Sequence, residues 1–175
     1  AEVGLWSRSG KPLTRYFPEV AAMLARLQAR EFVIDGELLI VTGGAVSFDA
    51  LQLRLHPAES RIGKLSAETP AMVMAFDCLA VGKTMLAGKP LTERRAALEK
   101  LLSKESEDDL ALSPTTTDRD RAIGWLERTG GALDGVIAKR LDLPYRPGER
   151  VGMVKIKRVR TADMVVVAFR FGKEE

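Results

Sequence analysis

The chain of 175 residues holds one cysteine and one histidine, which excludes an intrachain disulfide and a metal centre built from Cys and His. Cys78 lies inside the apolar run "AMVMAFDCLAV", so a buried structural thiol in a reducing compartment is expected. There is no run of 18 apolar residues, and no signal-peptide pattern opens the chain; neither a membrane span nor a secretory leader is expected. The pattern G-x-x-x-x-G-K-[ST] is also absent, which excludes a P-loop nucleotide enzyme. Excess charge is scarce, with a formal net charge of +3, but it is unevenly spread. Between Lys139 and Lys173 ten Lys/Arg stand against three acids, whereas residues 101–127 carry seven acids against three basic residues. A basic C-terminal third suits a polyanion such as a nucleotide or nucleic acid, and a solvated basic surface would have the same composition.

Hydrophobic residues make up 46% and charged residues 29%, the composition of an ordinary globular domain large enough to build a core. The pattern predicts an α+β fold with more strands than helices. Strands are expected at 31–41, entering a hairpin through "TGG", and at 71–81, 133–141, 152–159 and 163–171. Helices are expected at 18–30 behind Pro18, at 92–102 with Thr92 as cap, and at 118–129 with Thr117 as cap and Gly130 and Gly131 as stop. Residues 103–118 form a surface connection with a short strand at most, and "LPYRPGER" (143–150) is a loop.

Several segments carry groups with chemistry. In "IDGELLI", Asp35 and Glu37 stand two apart on one strand face, opposite Ile34, Leu38 and Ile40; they either meet a cation or donor or are exposed strand acids. Phe76 in "FDCL" is a core residue or a ring that stacks on a base. "LDGVIAKR" places Asp134 and Lys139 at the two ends of a short apolar strand, with Gly135 able to bend its entry. "WSRSGKPLTRYFP" is a turn rich in Ser, Arg and Lys, a setting that suits phosphate or a plain surface loop. In "GMVKIKRV", Lys155 and Lys157 share a strand face while Val154 and Ile156 point into the core; two like charges so close call for an anion between them. Carboxylates for a divalent ion, lysines and arginines for phosphates and a stacking ring together suit a nucleoside triphosphate.

In order and spacing these segments resemble the adenylation domain of ATP-dependent DNA ligases, within the covalent nucleotidyltransferase superfamily. "LWSRSGKPLTRYFPEV" resembles motif Ia, "FVIDGELLIV" motif III and "MVMAFDCLAV" motif IIIa. "LDGVIAKRLDLPYRPGER" resembles motif IV with its following loop, and "MVKIKR" motif V. "SFDALQLRL", ending in Arg54, resembles the segment that follows motif III. The resemblance implies a nucleotidyltransferase (ATP-grasp-like) fold over residues 1–158, and the first strand of an OB-fold domain over 159–175. It further implies ATP (as AMP) and Mg²⁺ as cofactors and nicked double-stranded DNA as partner. A monomer in a bacterial cytoplasm, serving DNA repair, recombination and replication, follows from the same likeness.

By position, Glu37 would contact the AMP ribose or a metal, Asp134 would hold the metal, and Phe76 would stack on adenine. Lys139, Lys155 and Lys157 would neutralise the α-phosphate, Arg8 would meet nucleotide or the nick phosphate, and Arg54 would contact nucleotide. Three departures stand out. Motif IV reads Asp134-Gly135 where the family usually has Glu-Gly, and Met153 stands where a tryptophan often precedes motif V. The Lys-x-Asp-Gly of motif I, which supplies the family's nucleophile, is not in the chain, so self-adenylation by these 175 residues is not expected. An RNA ligase or capping-type nucleotidyltransferase shares motifs III, IV and V, and a non-catalytic nucleotide- or DNA-binding module is the alternative of another class.

Overall fold

A computed structural model describes residues 2–103, 105, 108–128, 135–158, 165, 167 and 168. Expected features beyond these, including Asp134, the helix stop at Gly130 and Gly131, and most of the strand at 163–171, lie outside the described residues. The fold is α+β, and none of the described helices is long and apolar enough to cross a membrane.

Helix α1 (Pro18–Arg26) begins with Pro18 in its first turn and buries Val20, Met23 and Leu24 on one stripe. It ends four residues before the expected limit, because Leu27 turns to an extended backbone and directs the chain toward the sheet. The Gln28 amide beyond it donates to the Glu105 carboxylate at 3.1 Å. Strand β1 (Phe32–Thr42) turns through Gly43 and Gly44 into β2 (Ala45–Val46), as expected. Two helices that were not expected follow: α2 (Phe48–Leu53), capped by the Ser47 hydroxyl, and α3 (Glu59–Glu68). At six residues, α2 is too short for apolar periodicity to register, and its legible signal is the Ser47 cap with Asp49 behind it.

Strand β3 (Ala71–Val81) is the centre of the main sheet, whose order is β2-β1-β3-β4 with β4 at Thr84–Met85. Strand β5 (Leu110–Leu112) pairs with β3 in parallel. Helix α4 (Leu91–Leu102) follows Pro90 with no side-chain cap, so Thr92 is not its cap; the Thr92 amide instead donates to the Leu141 carbonyl. Helix α5 (Arg119–Glu127) is capped by Asp118, not Thr117, because the Asp118 carboxylate reaches the amides of both Asp120 and Arg121. The core fills the space between α1, α4 and one face of the sheet, with Phe17, Leu27, Ile40, Ala75, Cys78 and Leu98 almost fully enclosed.

Pairing of β1 with β3 slips twice, between Val33 and Ile34 and between Asp35 and Gly36, which leaves Leu79 and Phe76 on β3 without a partner. At the second slip the strands close on each other: a Cβ on Gly36 would lie 3.0 Å from the Met74 carbonyl oxygen and 3.2 Å from the Ala75 Cα. Glycine is therefore the residue that lets the bulge form beside Phe76.

A separate ribbon pairs β6 (Val136–Lys139) with β7 (Met153–Ile156). The expectation that its apolar residues belong to a core is overturned. Ile137 is 54% exposed, Val154 63% and Ile156 42%, since among the described residues the two-stranded ribbon is not covered by a second sheet and it is mainly α5 that lies against β6.

Arg54, at the end of α2, is fully enclosed and joins four segments. It pairs with Glu19 of α1 at 2.8 Å, donates to the carbonyls of Tyr16 (2.9 Å) and Thr69 (3.3 Å), and lies 5.0 Å from the Phe17 ring centroid. Glu19 in turn accepts the Ala71 amide that opens β3. Removing the cation strands the carboxylate and two carbonyls, so Arg54→Met is expected to cost about 3 kcal/mol. Urea unfolding should show this as a lower midpoint at an unchanged slope, with Glu19→Gln/Arg54→Met recovering part of the loss.

Candidate functional site

The bulge on β3 turns two neighbouring side chains to different uses. Asp77 goes inward and is 2% exposed, and Phe76 stays half-buried at the surface of the sheet. Asp77 meets Arg94 of α4 in a two-pronged pair, Nε to Oδ1 at 2.8 Å and Nη2 to Oδ2 at 3.0 Å. The remaining Arg94 nitrogen, Nη1, donates to the carbonyls of Lys89 (2.6 Å) and Leu143 (2.9 Å). One guanidinium thus joins the central strand, the turn before α4 and the segment that follows β6.

That segment carries Tyr145. Its amide donates to the Ala87 carbonyl at 2.8 Å, and its ring lies 5.9 Å below the Arg94 guanidinium. Its hydroxyl donates to Asp35 Oδ2 on β1 at 2.7 Å. Burial first, and then the bond to Asp35, push the Tyr145 phenol up to about 12, so it is a neutral donor at physiological pH.

Lys139 closes β6 beside these groups. Its ammonium sits over the Phe76 ring, 4.5 Å from the centroid, a cation–π contact. Burial pushes the Lys139 ammonium below the ordinary lysine range; Asp77 and Asp35 act through space against that fall, and Arg94 and Arg95 add to it. Opposed residues of an antiparallel pair share a face, so the register of Ile137 with Lys155 and Lys139 with Met153 places Lys139 and Lys155 on one face. Lys157 follows two residues on, past the end of β7. Entry into β6 depends on Gly135, at φ +155°, where a Cβ would collide with the Ile156 carbonyl oxygen.

The structure therefore brings together Phe76 and Lys139, with Lys155 on the Lys139 face and Asp35 tied in through Tyr145. Glu37 lies two residues beyond Asp35 on β1, opposite Met74, and is exposed. Arg8 is exposed at the tip of a turn closed by the Ser7 amide on the Lys11 carbonyl at 2.8 Å. Asp134 lies outside the described residues. Arg54 is not part of this group: it is enclosed among Glu19, Phe17 and two carbonyls and presents no surface to a ligand. A groove of about 520 Å³ lined by Gln28, Val81, Leu86, Ala97 and Leu101 contains none of these residues.

Arg94, Asp77 and Tyr145 were not among the residues singled out by sequence. Arg94 had a signal, because it occupies the buried stripe of α4 with Leu91, Leu98 and Leu101. A charged residue at a core position of a helix needs a buried partner. Tyr145 had none, since its partner Asp35 is 110 residues away.

Comparison with known proteins bears on this arrangement. Residues 1–157 match the model of the ATP dependent DNA ligase domain. The chain is 51% identical to DNA ligase C2 of Mycolicibacterium smegmatis over 175 residues, which is 99% of this chain and 49% of that protein. It is 47% identical to DNA ligase C of Mycobacterium tuberculosis over 176 residues, 98% of this chain and 49% of that protein. The chain thus spans about half the length of these curated relatives. Among solved structures it is similar to one described as mycobacterial DNA ligase D complexed with ATP and MES, with a TM-score of 0.69 and 31% identity. That match covers 89% of this chain and 48% of the other. The α+β architecture expected from the motifs is the one these ligase catalytic domains have. With a family match that runs through β1, β3, β6 and β7, the chain belongs to the ATP-dependent DNA ligase domain family.

Proposed function

We infer that the chain is the nucleotide-binding part of an ATP-dependent DNA ligase, acting as a monomer on nicked double-stranded DNA in the bacterial cytoplasm. The observation that carries this is the Lys139 ammonium set over the Phe76 ring, both within the residues that match the DNA ligase domain. Such an enzyme joins DNA in three steps: a lysine takes AMP from ATP, AMP passes to the 5′-phosphate of the nick, and the 3′-hydroxyl displaces it.

In this chain Phe76 supplies an aromatic face for the adenine, and base stacking on a ring contributes about 1–3 kcal/mol. Lys139, Lys155 and Lys157 supply positive charge where it builds up on the α-phosphate, the usual protein contribution to phosphoryl chemistry. Arg8, exposed on its turn, suits a phosphate of nucleotide or nick. Among the described residues, no group of three or more His, Cys, Asp or Glu could hold a metal ion. Mg²⁺ does not need one, because it binds through one or two carboxylates together with substrate phosphates. Glu37, exposed on β1, fits that mode and would hold the ion or the ribose, with Asp134 as the second carboxylate. When bound, the ion neutralises phosphate charge. Residues 159–175 are read as the start of an OB-fold domain.

Three outcomes test this. Phe76→Ala should weaken ATP binding about tenfold or more in equilibrium titrations, and Phe76→Tyr should restore it. Incubated with labelled ATP and Mg²⁺, the 175-residue chain should give no labelled band on a denaturing gel while still binding ATP reversibly; a labelled band would mean that one of its own lysines is the nucleophile. Because the Lys139 ammonium is held below the ordinary lysine range, ATP affinity should fall as the pH rises toward that range, before exposed lysines lose charge. Lys139→Arg, which keeps its charge there, should flatten that fall.

A further inference from the structure

Two carboxylates, Asp35 and Asp77, lie close enough to act on Lys139 through space. Even so, among the described residues no carboxylate is within ion-pair distance of its ammonium, which rests on the Phe76 ring instead. The reason lies in what each carboxylate is already doing. Both oxygens of Asp77 are taken by Arg94, and Oδ1 also accepts the Cys78 amide at 2.9 Å. Asp35 is held by the Tyr145 hydroxyl at 2.7 Å. Tyr145 itself has little freedom, since its amide is tied to the Ala87 carbonyl, its ring lies against Arg94, and Leu143 two residues before it accepts from the same guanidinium.

We propose that Tyr145 is a positioning residue whose hydroxyl holds the Asp35 carboxylate away from Lys139, leaving the Lys139 ammonium on the Phe76 face without a carboxylate partner and available to a nucleotide phosphate. This rests on Lys139 being the counter-charge of that phosphate. Without the hydroxyl, Asp35 is a nearby anion with no donor. It pairs with Lys139, and an incoming phosphate must displace it.

The test uses the full-length protein that carries this chain and measures ATP dissociation constants in two backgrounds. Tyr145→Phe keeps the ring and its contact with Arg94 and should raise the dissociation constant about fivefold. In Asp35→Asn, where the side chain has no charge with which to capture lysine, the same substitution should change it less than about twofold. NMR titration of the Lys139 side chain gives an independent readout: its pKa should rise in Tyr145→Phe and stay in place in Tyr145→Phe/Asp35→Asn. An equal cost in both backgrounds, no cost in either, or an unmoved Lys139 titration would overturn the proposal. If Lys139→Met leaves ATP affinity unchanged, the fault lies in the phosphate role of Lys139, a failure distinct from that of Tyr145.

Discussion

Arg94 and Asp77 meet inside the molecule, 4% and 2% exposed, in a geometry that uses both carboxylate oxygens and every nitrogen of the guanidinium. Enclosing two opposite charges carries a large desolvation cost, which is offset only when the geometry is good and the remaining donors are satisfied. The geometry is good here, and the Lys89 and Leu143 carbonyls take both protons of Nη1, the nitrogen that Asp77 does not reach. Much of the candidate site depends on this pair. It fixes the strand that carries Phe76, and through Leu143 and the ring of Tyr145 it holds the segment that leads away from Lys139.

That attachment matters because the β6–β7 ribbon has little else to place it. Its apolar side chains are largely exposed, so burial of hydrophobic surface contributes little to its position among the described residues. Directed polar bonds take over: Thr92 to Leu141, Arg94 to Leu143, Tyr145 to Ala87 and Tyr145 to Asp35. Hydrogen bonds are directional where the hydrophobic effect is not, and directional bonds suit a site in which an ammonium must meet a ring face at about 4.5 Å.

The second buried arginine shows how one residue type serves two ends. Arg54 and Arg94 both pair with a carboxylate, both donate to carbonyls and both lie against an aromatic ring. Arg54 draws α1, α2, the end of α3 and the start of β3 together, whereas Arg94 braces the group around Lys139. The Arg54 position within a ligase-like segment suggested a nucleotide contact, and nothing in its local sequence distinguishes a guanidinium that turns in from one that turns out. The deciding partner, Glu19, is 35 residues away.

Legibility follows the range of the interaction. The two long strands, the hairpin between β1 and β2 and the approximate places of α1, α4 and α5 rest on period, cap and turn chemistry, all set within a few neighbouring residues. Where two local signals compete, as Thr117 and Asp118 do before α5, the ionised side chain that reaches two amides takes the cap. The motifs that mark the chain as a DNA ligase domain were likewise legible, because they are short runs with fixed order. The sequence by itself thus determined the two long strands, the family and the inventory of charged groups. Only the tertiary structure decided which charges are buried, that Arg54 lies inside, and that Phe76, Lys139, Asp35 and Tyr145 converge. Those outcomes turn on desolvation and pairing between residues far apart in the chain, and a bulge that turns a single side chain can change them.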